Sequence, residues 1–214
     1  SWADGAILPA PKFVAEETSH SFEPVMEGAL VQHDFVVRNE GDEVLTIIKA
    51  GSGCGCLTTA YPKQIPPGGE GKISVTVDTS GYGGRGIEET FTVNTNDPEQ
   101  PWTPIIMKGT VKAVVSVTPR YARLHGKAGA PVTAVVHITP AEADGLRITA
   151  VKIKKGQYIT YELTEPSAVS QGAYLLTVTN TKKSAGRYAD LITLKTDSKV
   201  RSELKIGVYG NLSD

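Results

Sequence analysis

The 214-residue sequence has only two cysteines, two methionines and two tryptophans. No stretch approaches the roughly 18 consecutive apolar residues that a membrane-spanning helix needs, so we expect no transmembrane segment. Apolar residues at the 3.6-residue period of an amphipathic helix are missing over any useful length, which predicts few or no helices. The formal net charge is only −1, and this argues against a nucleic-acid partner.

Familiar catalytic and cofactor motifs are also missing. The sequence has no nucleophile elbow, no Walker phosphate loop and no dinucleotide-binding glycine motif between a strand and a helix. The nearest approach is the glycine-rich segment 81–86, which we interpret as a hairpin loop or bulge. His20, His125 and His137 show no pairing with acids or nucleophiles by sequence spacing. We therefore predict a protein that has no cofactor and is not an enzyme.

The sequence is rich in short β-branched runs separated by turns, with 22 glycines and 13 prolines in total. Residues 31–37 alternate between apolar and polar, the period of a half-buried strand. A turn at Asn39–Asp42 and a returning strand at 44–50 predict a hairpin. This pattern continues along the chain and favours an all-β fold.

The second half of the sequence aligns with the first at a constant offset of 101 residues, without a gap. Phe35 aligns with Val136, Thr95 with Thr196, and Gly109 with Gly210 in this register. Each half has the size of a seven-stranded immunoglobulin-like sandwich, about 100 residues. We therefore predict two tandem immunoglobulin-like β-sandwich domains, 1–112 and 113–214.

The two halves carry opposite charge. Residues 1–112 contain 8 Lys and Arg against 15 Asp and Glu, a net charge of −7, whereas residues 113–214 contain 14 against 8, a net charge of +6. We interpret this difference as that of two solvated surfaces, because exposed charges are screened over about 8 to 10 Å in physiological salt. The alternative is that the asymmetry steers a partner or favours head-to-tail self-contact.

Both cysteines lie in one loop, Cys54-Gly55-Cys56, and the second half has Lys155-Gly156-Gln157 there. Two residues apart on an extended chain, Cα atoms are about 6.6 Å apart, near the upper end of the disulfide range of roughly 4.4 to 6.8 Å. A turn at Gly55 would shorten that distance. A Cys54–Cys56 disulfide is thus geometrically allowed, although it would cross-link almost nothing.

Three interpretations of the loop stay open. The cysteines are structural, packed or bonded to each other, or they are a redox pair that exchanges with a partner. The third interpretation is that they bind Cu(I), with His33, Met26 or another soft donor as a further ligand, or Zn(II) if two further ligands converge. A second cysteine or histidine pair at ligand spacing is missing, which weakens the metal interpretation. His33 lies on the same strand face as Val31 and Phe35, so a core histidine is the alternative to a ligand.

Two aromatic residues are candidates for contact with a partner. Tyr82 lies in the glycine-rich loop and Trp102 follows Pro101, and exposed aromatic side chains often anchor protein interfaces. The alternative is that both pack back onto the sandwich.

The first half resembles the bacterial domain-of-unknown-function family 1573, grouped with the immunoglobulin-like domains of ciliary ASH and hydin proteins and of major sperm protein. The resemblance covers roughly residues 20–112. Its motifs are Glu27-Gly28, Val31-x-His33-x-Phe35-x-Val37-x-Asn39-x-Gly41, Leu45-x-Ile47, Cys54-Gly55-Cys56, Pro66-Pro67-Gly68, Thr95-Asn96-Asp97 and Gly109-x-Val111. The family usually has Thr directly after the second cysteine, whereas Leu57 intervenes here.

The resemblance implies an exported, non-enzymatic β-sandwich of the bacterial envelope, without an established ligand. A start at Ser1 instead of Met agrees with a removed export signal, so we expect a periplasmic or extracellular location. Our leading hypothesis is a module that binds or scaffolds another protein, for example by strand addition at an exposed sheet edge. The alternative is a copper, zinc or thiol-redox module centred on Cys54 and Cys56.

Overall fold

The computed structural model describes residues 8–142 and 145–214, and these ranges contain strands, turns and loops but no helix. The chain divides into two compact units, the first ending at Lys112 and the second beginning at Ala113. The predicted all-β fold class is confirmed.

The described residues of the first unit form nine strands. They are β1 (Phe13–Ala15), β2 (Ser19–Met26), β3 (Leu30–Asn39), β4 (Leu45–Gly51), β5 (Leu57–Ala60), β6 (Gln64–Ile65), β7 (Glu70–Asp78), β8 (Arg85–Thr95) and β9 (Trp102–Lys112).

The described residues of the second unit form eight strands. They are β10 (Val115–Thr118), β11 (Tyr121–Lys127), β12 (Thr133–Pro140), β13 (Ile148–Ile153), β14 (Ile159–Thr164), β15 (Tyr174–Asn180), β16 (Gly186–Thr196) and β17 (Glu203–Ser213).

Each unit is a sandwich of two sheets with the strand order of an immunoglobulin domain. In the first unit the sheets are β1-β3-β7-β5 and β2-β9-β8-β4-β6, and in the second they are β10-β12-β15-β14 and β11-β17-β16-β13. These orders correspond to the ABED and GFC sheets of the immunoglobulin fold. The first strand of each unit is divided between the two sheets, and its second part runs parallel to the last strand, β2 beside β9 and β11 beside β17.

The 101-residue offset of the sequence is also the offset of the strands. Strands β16 and β17 begin and end 101 residues after β8 and β9. Among the described residues of the second unit, no strand corresponds to the short β6. The two units are therefore repeats of one fold, as the alignment of the two halves predicts.

One local prediction is wrong: β3 and β4 do not form a hairpin. Strand β3 pairs with β1 and β7, whereas β4 pairs with β8 and β6 in the opposite sheet. The turn after Asn39 carries the chain across the sandwich, and the buried Asn39 side chain fixes it by accepting from the N–H of Gly41 and donating to the carbonyl of Glu43. Alternation identifies a strand but not its sheet, since both sheets bury one face.

A separate apolar core fills each sandwich. In the first unit the fully buried Phe35 and Phe91 rings meet edge to face, with centroids 5.7 Å apart. In the second unit the core is aliphatic around Val136, Leu176 and Ile206, all of them fully buried. The alternating strands supply these side chains because every second residue points between the sheets.

Candidate functional site

The cysteine loop lies between β4 and β5 in the first unit. Cys54 and Cys56 are joined by a disulfide whose Cα atoms are 5.3 Å apart. The backbone turns at Gly55, which shortens the separation below that of an extended chain. A side chain at Gly55 would meet no atom within 4 Å, so one side of the loop is open.

Two hydrogen bonds shape the loop from within, and a third joins it to β7 of the sandwich. The N–H of Cys54 donates to Ser52 Oγ at 3.1 Å, and the N–H of Cys56 donates to Cys54 Sγ at 3.1 Å. The carbonyl of Cys56 accepts from the N–H of Asp78 at 2.8 Å, and its side chain packs against the core. The disulfide is thus half-buried, with its backbone fixed at the start of β5.

The two predicted aromatic anchors have different surroundings. Tyr82 packs against the core of the first unit, its hydroxyl lies 3.9 Å from Cys54 Sγ, and the guanidinium of Arg85 lies 5.2 Å from its ring centre. Trp102, at the start of β9, is 60% exposed. Only Trp102 therefore presents most of its surface to solvent, and a role for either residue in partner binding stays a prediction.

The structure does not bring His33 to the cysteines. The donor atoms of His33 lie with those of Glu17 and His20, whereas the sulfurs of Cys54 and Cys56 lie near the carboxylate of Glu89. Both sulfurs are bonded to each other, so neither is a thiolate that can ligate a metal. The ligand set of Cys54, Cys56 and His33 is consequently not assembled.

A second candidate surface lies on the outer face of the β11-β17-β16 sheet in the second unit. Arg123 on β11 is opposite Tyr209 on β17, and His125 is opposite Asn211, which in turn is opposite Arg187 on β16. We call these five exposed residues the basic platform. They border a shallow cavity of about 570 Å³, whose other lining residues are Tyr188, Ala189 and Gly210.

The aromatic side chain beneath the platform is fixed by packing and one hydrogen bond. The Tyr188 ring lies over Gly210, where a Cβ atom would be only 2.0 Å from it. Its hydroxyl donates to Asn180 Oδ1 at 2.7 Å. Burial, and secondly the charge of Asp190, raise the pKa of Tyr188. The phenol therefore stays neutral and keeps its proton for this bond at physiological pH.

The loop of the second unit that corresponds to the cysteine loop is held by a carboxylate. The N–H groups of Lys155 and Gly156 donate to the two oxygens of Asp190, at 3.0 and 2.9 Å. Burial raises the pKa of Asp190, but the N–H donors of Leu191, Gly156 and Lys155 together outweigh it and bring the pKa below its usual value. Hydrogen bonds to the ionised form thus favour a charged carboxylate here.

The location of the basic platform was not predicted from the sequence, although two features of the sequence point to it. The second half is basic, and exposed residues alternate with buried ones along β11, where Ala122 and Leu124 point inward. The outward positions are Tyr121, Arg123, His125 and Lys127. What the sequence does not contain is the pairing that places Arg187, more than 60 residues further on, beside them.

The two sandwiches define this chain as a tandem immunoglobulin-like protein. The model of the family described as "Protein of unknown function (DUF1573)" matches residues 13–111. This match over the first domain confirms the resemblance in the sequence motifs. The chain has no match among curated proteins.

Several solved structures are similar to the chain. A protein of unknown function from Porphyromonas gingivalis W83 is 14% identical, with 94% of this chain and 99% of that one covered and a TM-score of 0.37. A PapD-like ASH domain of human CEP192 is 14% identical over 50% of this chain and 89% of that one, with a TM-score of 0.38. The human desmocollin-1 ectodomain is 15% identical over 96% and 41%, with a TM-score of 0.39.

Within residues 8–142 and 145–214, there is no helix with the length and apolarity required to cross a lipid bilayer.

Proposed function

We propose that this chain is an exported, non-enzymatic binding module of the bacterial cell envelope, and that it binds an acidic extended segment of a partner protein on the basic platform. The observation that carries the proposal is the platform itself. Two arginines and a histidine surround Tyr209 and Asn211 on one sheet face, and the lining of the cavity contains no carboxylate.

Export is supported by the disulfide. Disulfides persist in oxidising compartments such as the periplasm and the cell exterior, and they are rare where glutathione and thioredoxin keep thiols reduced. The bond between Cys54 and Cys56 fits the first group of compartments. The disulfide therefore supports a location in the periplasm or outside the cell.

The chemistry of the partner follows from charge. The second domain has a net charge of +6, and its field draws an acidic segment toward the platform before contact. Arginine forms paired hydrogen bonds with carboxylates, and tyrosine supplies a rigid apolar surface beside them. Arg123 and Arg187 lie on opposite sides of β17, so carboxylates spaced along one segment can reach both.

An extended partner fits because β11 is an edge strand. Among the described strands, β11 pairs only with β17, so one side of its backbone is left for an added strand. A partner strand with acidic residues at every second position would place them beside Arg123 and His125 on β11, and the continuation of the segment would cross the sheet face to Arg187 on β16. Opposite charges facing each other across paired strands are stabilising.

The test uses a fluorescent peptide of alternating Glu and Thr, with a Lys-Thr peptide as its counterpart. We expect the full chain to bind only the acidic peptide, and Arg123→Glu/Arg187→Glu to weaken binding by about tenfold or more, since two exposed ion pairs contribute up to about 1 kcal/mol each. Fluorescence anisotropy measures both affinities.

The matched control is Lys183→Glu/Lys199→Glu, which changes the charge of the same domain equally at two exposed loop positions outside the platform. It should retain most of the affinity. Equal losses in the two double variants would mean unspecific attraction to a basic domain, and a wild-type chain that ignores the acidic peptide would refute the proposal.

The alternative function is thiol–disulfide exchange at Cys54 and Cys56, favoured by the half-buried disulfide between residues only two apart. A partner dithiol would attack one sulfur as a thiolate, form a mixed disulfide and release the other cysteine as a thiolate, which takes up a proton. The second partner thiolate would then resolve the mixed disulfide. The partner leaves oxidised, and Cys54 and Cys56 become two thiols.

Intact-mass spectrometry with an alkylating agent decides this alternative. Under native conditions, a small dithiol such as dithiothreitol should reduce the bond reversibly, adding two alkylation sites per chain. Reduction that occurs only after unfolding in guanidinium would exclude exchange and leave the disulfide a purely structural bond.

A further inference from the structure

Three potential metal ligands meet where the first strand of the first domain passes from one sheet to the other. Glu17 lies in the connection between β1 and β2, His20 lies on β2, and His33 lies on β3 in the opposite sheet. Their donor atoms all lie within 4.8 Å of one another. Residues from both sheets and from the connecting segment thus converge on one point.

The histidine rings have a defined arrangement. The rings of His20 and His33 are stacked, with centroids 3.5 Å apart and planes inclined by 11°. His33 Nε2 lies 2.5 Å from a carboxylate oxygen of Glu17. The His33 ring also packs edge to face on the buried Phe35, with centroids 4.7 Å apart. Packing therefore fixes one ligand, and the other two lie beside it.

The cluster is accessible to an ion. The His33 side chain is 22% exposed and that of Glu17 is 42% exposed, and His20 is also only partly buried. The ligand atoms of a tetrahedral zinc ion are about 3.4 Å apart, given bond lengths of about 2.0 to 2.1 Å. The donor atoms lie within 4.8 Å of one another, so each pair needs to approach by about 1.4 Å at most. An imidazole binds a metal in the plane of its ring, so the His20 ring also has to rotate out of its stack on His33, a rotamer change that a partly exposed side chain can make.

From this geometry we propose that Glu17, His20 and His33 bind one divalent transition-metal ion, with Zn²⁺ as the reference ion. Two histidines and one carboxylate form a three-ligand set that zinc accepts, leaving a fourth position for water or a group from a partner. Imidazole ligands favour zinc, copper and nickel over magnesium and calcium. The bound ion would connect the two sheets at the place where the chain crosses between them.

The site is specific to the first domain. At an offset of 101 residues, the positions of Glu17, His20 and His33 are occupied by Thr118, Tyr121 and Ala134, which offer no comparable set. Within the described residues, the other group of three such atoms contains Cys54 and Cys56, whose sulfurs are already bonded. The two domains share the fold, so the fold alone does not require these three side chains.

Isothermal titration with Zn²⁺ in a buffer without reductant tests the proposal on the full chain. We expect one ion per wild-type chain. His20→Ala should lower the affinity by about 100-fold or more, because it removes one of only three protein ligands, and Glu17→Gln by about tenfold or more. Co²⁺ in place of Zn²⁺ should give the visible absorption of a tetrahedral site.

Two controls separate this site from other histidines and from the cysteines. His137→Ala removes an exposed histidine of the second domain and should leave zinc binding unchanged. Cys54→Ser/Cys56→Ser should also retain it, because both residues lie outside the proposed ligand set. Loss of binding in either control would refute the assignment.

The decisive measurement is zinc binding by the wild-type chain. Absence of zinc uptake, or equal uptake by wild type and His20→Ala, would overturn the proposal. Glu17→Gln keeps an oxygen beside His33, and amide NMR spectra check its fold, so the test holds even where His20→Ala fails to fold. These outcomes do not depend on the basic platform, which lies in the other domain.

Discussion

The two domains hold the same loop by different chemistry. In the first domain, the loop between β4 and β5 is closed by the Cys54–Cys56 disulfide. In the second, the corresponding loop between β13 and β14 has no cysteine, and the carboxylate of Asp190 accepts from its N–H groups instead. The two loops are therefore held differently, by a covalent bond within the loop in the first domain and by hydrogen bonds to a carboxylate in the second.

A carboxylate lies beside this loop at the equivalent position of both domains. Asp190 follows Glu89 by 101 residues, and Glu89 is the carboxylate that lies beside the two sulfurs in the first domain. An acidic residue of β8 or β16 thus faces this loop in both repeats. Asp190 accepts directly from the loop backbone, whereas the loop of the first domain is closed by the disulfide.

The largest difference in stability between the two domains should appear when their cores are mutated. Phe35→Ala should lower the unfolding free energy of the first domain by about 3 to 5 kcal/mol, because it leaves a large cavity beside Phe91. The equivalent Val136→Ala should lower the unfolding free energy of the second domain by about 2 kcal/mol, since it removes the equivalent of only two methylene groups and leaves a smaller cavity. Hydrogen exchange measured by mass spectrometry follows β3 and β12 separately.

Each substitution should affect exchange mainly in its own domain, because the two cores are separate. Equal loss of protection in both domains after Phe35→Ala would contradict the description of two independent cores.

A smaller effect should follow from filling the equivalent glycines, Gly109 and Gly210. An added Cβ would lie 2.3 Å from the Phe22 ring in the first domain and 2.0 Å from the Tyr188 ring in the second. Overpacking of this kind costs about 1 to 3 kcal/mol. Gly210→Ala should cost about 1 kcal/mol more than Gly109→Ala, because displacing Tyr188 also breaks its hydrogen bond to Asn180.

Chemical denaturation of the two variants measures this difference. Gly86→Ala is the control, since its Cβ would meet no atom closer than 3.7 Å, and it should change stability little. A Gly109→Ala chain that is less stable than Gly210→Ala would show that the Tyr188 bond contributes nothing.

Repetition explains why so much of the fold was predictable. A single offset of 101 residues matches buried positions in both halves, so alternation that is ambiguous in one half is supported by the other. The error at the β3–β4 turn has a physical cause: a hairpin and a crossing between sheets use the same turn residues and the same alternation.

The candidate sites were less accessible because they depend on contacts between distant parts of the chain. The disulfide was foreseeable, since its partners are two residues apart. In contrast, His20 and His33 meet only because β2 and β3 lie in opposite sheets, and Arg187 reaches His125 only across β17. Sequence spacing contains no record of such pairings.

Removing the disulfide should have a modest effect on stability. A ring of three residues lowers the entropy of the unfolded chain only slightly, so Cys54→Ser/Cys56→Ser should cost about 1.5 kcal/mol or less. The effect should be confined to the first domain and measured by urea denaturation. A loss of more than about 3 kcal/mol would mean that the loop, beyond the bond itself, depends on the two sulfurs.

The smallest effect on stability should come from Asp190, whose carboxylate holds the loop of the second domain, and this effect should depend on pH. Asp190→Asn should lower the unfolding free energy by about 1 kcal/mol at neutral pH, because the amide cannot accept at both of its terminal atoms. The loss is no larger because solvent screens the interaction at this partly exposed site. The pKa of Asp190 is lowered in the folded chain, so its contribution to stability is complete above the ordinary aspartate pKa of about 3.9 and is lost as pH falls through the lower folded value.

The wild-type and Asp190→Asn chains should therefore approach equal stability in acid. The disulfide of the first domain does not titrate, so it should hold its loop at every pH. Amide shifts of Gly156 and Gly55 across a pH titration test this contrast: Gly156 should move with the carboxylate, and a Gly156 amide that stays constant through the same range would show that Asp190 does not hold the loop.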